Sequence, residues 1–307
     1  MSKANKILLI IFFNVIIIIA EITFGLLSNS FALIADALHN IGDVMAIIVT
    51  YIAIKVGTIK SSFKYTYGFI KAEMMAAFVN TLFLILTMFY LIYAAIQRFF
   101  EPEVIDPLYM IIVGFIAFIA NGLSAYLLDH LQIEHHHDHG EGHHHHHEAD
   151  ANIHSAYLHM LSDALISLGV VVAGIFIYYF HIYSIDSILT ILFSLYILAH
   201  SYPLLKRSFL SLIDANITDI SIEQLDKVIK ADKQVVEYHD LHISSPSSKD
   251  KHISFHLVLN DESIPLNEIK KITQKIEHQL KHEGFNHILI QVETTHDIQD
   301  SINCIKN

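Results

Sequence analysis

The chain has 307 residues, of which 53% are hydrophobic and 16% charged, and its formal net charge is -12 with His neutral. That balance excludes a disordered chain and argues against an ordinary soluble domain, and the negative sign is the wrong one for a nucleic-acid binder. One cysteine, Cys304, leaves no disulfide framework or thiolate cluster, whereas 23 histidines are far more than packing requires.

Charge is unevenly placed. Residues 1–207 hold nine Lys/Arg and fifteen Asp/Glu, and residues 208–307, half as many, hold ten and sixteen. This predicts a membrane domain over 1–207 and a soluble domain over 208–307. In chain order, six apolar stretches stand out at about 7–27, 32–55, 74–97, 108–131, 153–179 and 186–204. Each suits a crossing of roughly 20 residues with some tilt. Lys3 and Lys6 before the first stretch resemble the start of a signal peptide. The stretch is too long for a signal core, however, and no small-x-small cleavage site ends it.

The basic residues orient the spans. Lys3, Lys6, Lys55, Lys60, Lys64, Lys71, Lys206 and Arg207 fall on one side if both termini are cytoplasmic, and only Arg98 falls on the other. An even number of spans returns the chain to the same side. The link between the fourth and fifth stretches is then cytoplasmic. Over 132–151 it contains nine His between 135 and 147, and Gly140 and Gly142 break any helix there. Such a tract can gather borderline metal ions without imposing one geometry.

Ionisable groups in hydrocarbon are costly and point to function. The second stretch carries Asp36, His39 and Asp43, and the fifth carries His159 and Asp163. His39 and Asp43 are four apart, as are His159 and Asp163, so each pair leaves one helix face. Two imidazoles and two carboxylates suit tetrahedral zinc better than a six-oxygen magnesium site. Cobalt, iron, manganese and cadmium stay open. The bland alternative is two His–Asp hydrogen bonds that only hold the bundle. Metal and proton compete for the same imidazole lone pair near neutral pH, so alternating exposure of such a site makes a zinc/proton exchanger. Asn14, Glu21, Asp36 and Asn121 are candidates for an access path or for supporting the ligands. Glu21, Asp129 and His130 lie near span ends, where headgroups or water can meet them. His154 and His200 stay unassigned.

After Arg207 the spacing predicts a helix over 218–231 capped by Thr218, and strands near 234–243 and 252–260. A helix over about 266–282 and a strand near 286–293 follow. Gly284 is a stop signal for the second helix. The order makes a small two-layer α/β domain whose modest core a dimer or a metal would help. Its candidate ligands are His239, His256, His287 and Glu293, the last two sharing a face of one strand. His239 and His242 oppose each other in a regular strand and need a bulge to share a pocket. Asp240 can bridge or orient a ligand. His252, His278, His282 and His296 look like surface residues.

The strings SNSFALIADALHNIGD, KYTYGFIKAEMMAAFVN, NIHSAYLHMLSDALISLGVVVAG and YHDLHI resemble the cation diffusion facilitator family, particularly its zinc-exporting bacterial members. The resemblance implies a homodimer with six spans per subunit in the cell (inner) membrane. It implies proton-coupled export from the cytoplasm and a ferredoxin-like (αββαβ) cytoplasmic domain that binds zinc near the dimer interface. By resemblance His39, Asp43, His159 and Asp163 are the transport ligands, and His239, His256, His287 and Glu293 match common ligand positions of the tail. Some bacterial members carry His and Asp where Gln291 and Glu293 stand. Some members hold a further site in the link after the second span, which here reads IKSSFKYTYGFIK without Asp or His, so none is expected. An intramembrane metalloenzyme is the rival class, but no H-E-x-x-H occurs and a filled four-ligand site leaves no position for water. The chain is therefore not expected to be an enzyme. A metal sensor or storage protein would not need polar pairs at membrane depth.

Overall fold

A computed structural model describes residues 3–57, 59–133, 146–261 and 263–294. The long helices are α1 (Lys3–Ser28), α2 (Phe31–Gly57), α3 (Ala72–Phe100), α4 (Pro107–Ile133), α5 (His146–Phe180) and α6 (Ser184–Leu212). They are followed by α7 (Ile222–Ile229), β1 (Val235–Ser244), β2 (His252–Leu259), α8 (Leu266–His282) and β3 (His287–Thr294). Among the described residues, five helices are long and apolar enough to cross a bilayer, namely α2, α3, α4, α5 and α6. Within α1 the apolar run Asn14–Ser28 is shorter. Helix α4 runs to Ile133 and α5 starts at His146, so the ends of the stretch 132–151 are helical. Most of the His-rich tract, and the side chains of Asp129, His130 and His154, lie outside the described residues, as does His296.

The chain folds as two compact units, residues 1–45 with 80–202 and residues 46–79 with 203–307. The unit with the sheet takes in 46–79 as well as 203–307. Helices α2, α3 and α6 each contribute residues to both units.

In the first unit α4 and α5 approach closely through glycine. A Cβ on Gly174 would stand 2.9 Å from Ile111 Cγ1, and one on Gly114 would stand 3.1 Å from Val171 Cγ2. Without a hydrophobic driving force between helices in lipid, such close packing is what holds them. The N-terminus of α2 is capped from a distance. Asp186, on the first turn of α6, accepts from Ser30 Oγ at 2.5 Å, Phe31 N at 2.9 Å and Ala32 N at 3.2 Å. A carboxylate there satisfies open N–H groups and favours the helix dipole. Arg98 is buried over the Phe31 ring at 4.2 Å and reaches Glu103 at 2.9 Å. In the following loop, the Asn29 amide and then the Arg98 guanidinium hold the Glu103 carboxyl below its ordinary range.

In the second unit the sheet runs β1-β2-β3, with β1 antiparallel and β3 parallel to β2. Alternation along β2 sends Ile253, Phe255 and Leu257 into a core with Leu225 and Ile229 of α7 and Ile272, Ile276 and Leu280 of α8. Each such side chain contributes roughly 1.5–3 kcal/mol by burial, and Phe255→Ala should cost about 3–5 kcal/mol. Ser254 and His256 fall at the alternate positions. Helix α8 begins and ends where its spacing predicts. Helix α7 is shorter than expected and its cap is Ser221, not Thr218. Ser221 Oγ accepts from Gln224 N, while Gln224 Oε1 accepts from Ser221 N, a capping box. Thr218 is instead turned back, its N–H and hydroxyl both donating to Asn216 Oδ1 at 3.0 and 2.7 Å.

Candidate metal centres

The H-x-x-x-D pairs of α2 and α5 meet. His39 Nε2 lies 3.6 Å from Asp43 Oδ2 on its own helix and 3.6 Å from Asp163 Oδ1 on the other. His159 Nε2 lies 3.0 Å from Asp43 Oδ2 and 3.7 Å from Asp163 Oδ2. Each imidazole therefore sits between both carboxylates. The two rings stand 5.8 Å apart and nearly perpendicular, at 82°. His39, Asp43 and His159 offer donor atoms all within 4.8 Å of one another. Asp163 closes the group from the buried side, touching both imidazoles.

These separations carry chemical information. Four ligands about 2.0–2.1 Å from a tetrahedral ion are roughly 3.3–3.4 Å from each other; His39 Nε2 and His159 Nε2 stand 3.6 and 3.0 Å from the same Asp43 oxygen, and they meet different oxygens of Asp163 at 3.6 and 3.7 Å. Burial is graded: the side chains of His39 and Asp163 are 5% and 2% exposed, those of His159 and Asp43 30% and 36%. The open half is the half nearer the Lys55 end of α2 and the start of α5. Asp163 Oδ1 is buried without a hydrogen-bond partner, a defect that a cation in the cluster would remove.

Around this centre, Asp36 is buried and accepts from Ser167 Oγ at 3.1 Å. Glu21 is wholly buried where α1 faces α2, and Asn40 Nδ2 donates to it at 3.1 Å, which fits the supporting place that was one of its two expected readings. Asn121 is buried, while His200 is exposed and stacked on Tyr196 outside the cluster.

A second group gathers on the sheet. The register sets His239 of β1 opposite His256 of β2. His256 Nδ1 lies 2.8 Å and His239 Nε2 3.3 Å from the two oxygens of Glu293 on β3. His239 Nε2 and Glu293 Oε2 are buried without hydrogen-bond partners, so these donors too fit a cation. Gln291, which stands where some bacterial members carry a ligand, instead donates its amide to Glu293 Oε1 at 2.9 Å, both side chains lying on one face of β3. The bulge that His239 and His242 require is present, with a register shift between them and Asp240 at φ 51°. It carries Asp240 to 3.6 Å from His256 Nε2 and 3.2 Å from His242 Nε2. His242 stays outside the His239–His256–Glu293 group.

His287 is not part of this group. It shares a strand with Glu293, but six residues at about 3.3 Å each put them roughly 20 Å apart. The register pairs it with His252, the rings 4.7 Å apart. His278 and His282 are exposed on α8.

Comparison with known proteins agrees with this architecture. A family profile described as the cation efflux transmembrane domain matches residues 7–213, and one described as the cation efflux protein cytoplasmic domain matches 217–295. The chain belongs to the cation diffusion facilitator family. Like other cation diffusion facilitators it is a membrane transporter of cations with a cytoplasmic C-terminal domain, and it is not an enzyme. It is 32% identical over 304 residues to a Bacillus subtilis protein named cadmium, cobalt and zinc/H(+)-K(+) antiporter, covering 98% of this chain and 93% of the relative. It is 32% identical over 277 residues to the zinc transporter ZitB of Pectobacterium atrosepticum, covering 90% and 81%. It is 29% identical over 277 residues to the metal cation efflux system protein CzcD of Cupriavidus metallidurans, covering 90% and 82%.

Proposed function

We propose that the protein is a homodimeric, six-span exporter of the cell (inner) membrane that moves Zn2+ out of the cytoplasm in exchange for protons. The meeting of two H-x-x-x-D pairs at 3.0–3.7 Å supports this reading above all. His39, Asp43, His159 and Asp163 are the ligands of the transported ion, within a domain of residues 1–207. Two carboxylates neutralise a divalent charge and two imidazoles favour a borderline metal over magnesium. Zinc is also the metal in the ZitB name, and the Bacillus name adds cadmium and cobalt, which this donor set accepts.

With both termini cytoplasmic, the open half of the site, Asp43 and His159, faces inward. Zinc displaces imidazole protons there, and the His-rich tract of 132–151 raises its local supply. When the site opens outward, protons take the imidazole lone pairs and the metal leaves. The tail, residues 208–307, is a ferredoxin-like dimerisation domain. In it His239, His256 and Glu293 hold a zinc of their own.

Flux into sealed vesicles tests the reading. An imposed proton gradient should drive zinc against the proton movement, and Asp163→Ala should abolish that flux in a protein that still elutes as a folded dimer. Normal transport by Asp163→Ala would overturn it.

A further inference from the structure

The exchange just described uses the metal ligands alone and leaves two buried acids unexplained. Glu21 on α1 is 0% exposed and Asp36 on α2 is 1% exposed, and the bond from Asn40, one turn beyond Asp36 on the same face of α2, sets Glu21 beside Asp36. Each has one oxygen satisfied by a neighbour: Asn40 Nδ2 donates to Glu21 Oε2 and Ser167 Oγ to Asp36 Oδ2, both at 3.1 Å. The other oxygens, Glu21 Oε1 and Asp36 Oδ1, are buried with no hydrogen-bond partner. Two ionised carboxylates are acceptors only, so in contact they repel and leave those oxygens short of a donor. One proton between them makes one acid a donor and removes both faults. The ionisable groups that act on the pair are Asp163 from α5 and His39 from α2.

We infer that Glu21 and Asp36 form a proton-carrying site separate from the metal ligands. The inference rests on the proposed zinc/proton exchange. Asp36 lies nearly one helical turn before His39, so a divalent ion in the cluster favours ionisation of the pair through space. The shared carboxyl O–H then breaks, its electron pair stays on oxygen, and the proton passes to water. When the metal departs the proton returns. The pair never touches the ion, so the coupling is electrostatic and reciprocal: metal lowers proton affinity and proton lowers metal affinity.

The test uses the full chain in vesicles, counting protons moved per zinc, with zinc–zinc exchange at equal pH as the control for a working site. Glu21→Gln and Asp36→Asn should continue zinc–zinc exchange, lose one proton per zinc and flatten the pH profile of net flux. Glu21→Asp should restore both. Unchanged proton-to-zinc ratio and pH profile in both amide variants would overturn the inference while leaving the exchanger intact. A wild type that moves zinc without protons would instead overturn the exchanger itself. For a variant that does not transport, the infrared difference between zinc-free and zinc-bound protein decides. A protonated-carboxyl C=O band should vanish on zinc binding in the wild type and be missing from both variants. A wild-type spectrum with no such band contradicts the inference.

Discussion

The two candidate metal centres join imidazoles and carboxylates on different scaffolds. In the membrane each helix carries a complete half, an imidazole and a carboxylate one turn apart, and helix packing alone holds the halves together. In the tail each of three strands supplies one candidate ligand, and backbone ladders fix the spacing of the strands. The first centre can be opened by sliding or tilting one helix against the other. In the second the strands are held by sheet hydrogen bonds, so only side-chain rotation can open it while the sheet stays intact. The first therefore suits an ion in transit and the second an ion that stays.

The largest expected effect sets the centres against each other. Bound radiolabelled zinc should leave the wild-type protein in a fast and a slow phase. His39→Ala should remove the fast phase, with a loss of membrane-site affinity beyond the ~100-fold that changes around metal ligands reach. Glu293→Ala should remove only the slow phase. Loss of both phases in either variant would break the comparison.

Metal removal should act next. With free zinc at about 100 times its dissociation constant, binding stabilises a folded site by about 2.7 kcal/mol. A chelator should therefore lower the melting transition of the sheet unit in the wild type but not in His256→Ala. A shift that survives in that variant would move the tail site elsewhere. On the membrane side, Gly174→Val forces a side chain into the space where Ile111 already stands 2.9 Å from an added Cβ. Overpacking of this kind costs about 1–3 kcal/mol, and denaturant unfolding in detergent should register it.

The smallest effects concern the His252–His287 pair. His287→Ala should leave zinc stoichiometry unchanged; one fewer bound zinc per chain would return His287 to the ligand set. Burial, then the neighbouring His287, holds the His252 imidazole below its ordinary value of 6.5. The folded state thus resists a proton that the unfolded chain accepts, and stability contributed above pH about 6.5 is lost as pH falls below it. His252 is partly exposed, so solvent screening keeps the effect small. His252→Asn should flatten the stability profile between pH 7 and 5, and an unchanged slope would assign it to other groups.

Much of this was legible because it is local. The two i, i+4 pairs, the bounds of α8 and the need for a bulge after His239 follow from periodicity in single elements. Two of the misses come from pairings between distant segments. Asp186 caps α2 from 156 residues away, and nothing near Ser30 announces it. The burial of Glu21 depends on where α1 meets Asn40. Placing His287 with Glu293 used the right face but neglected distance along the strand. Thr218 was a plausible cap until Asn216 claimed its donors, whereas the S-x-x-Q box at Ser221 was readable and overlooked.

The central claim is that α2 and α5 jointly hold one dehydrated ion. Anomalous diffraction at the zinc edge from crystals of the full chain grown with zinc tests it most directly. The account predicts a peak within bonding distance of His39, Asp43, His159 and Asp163. A peak touching only one of the two helices, or no peak there while the sheet site is filled, would contradict it.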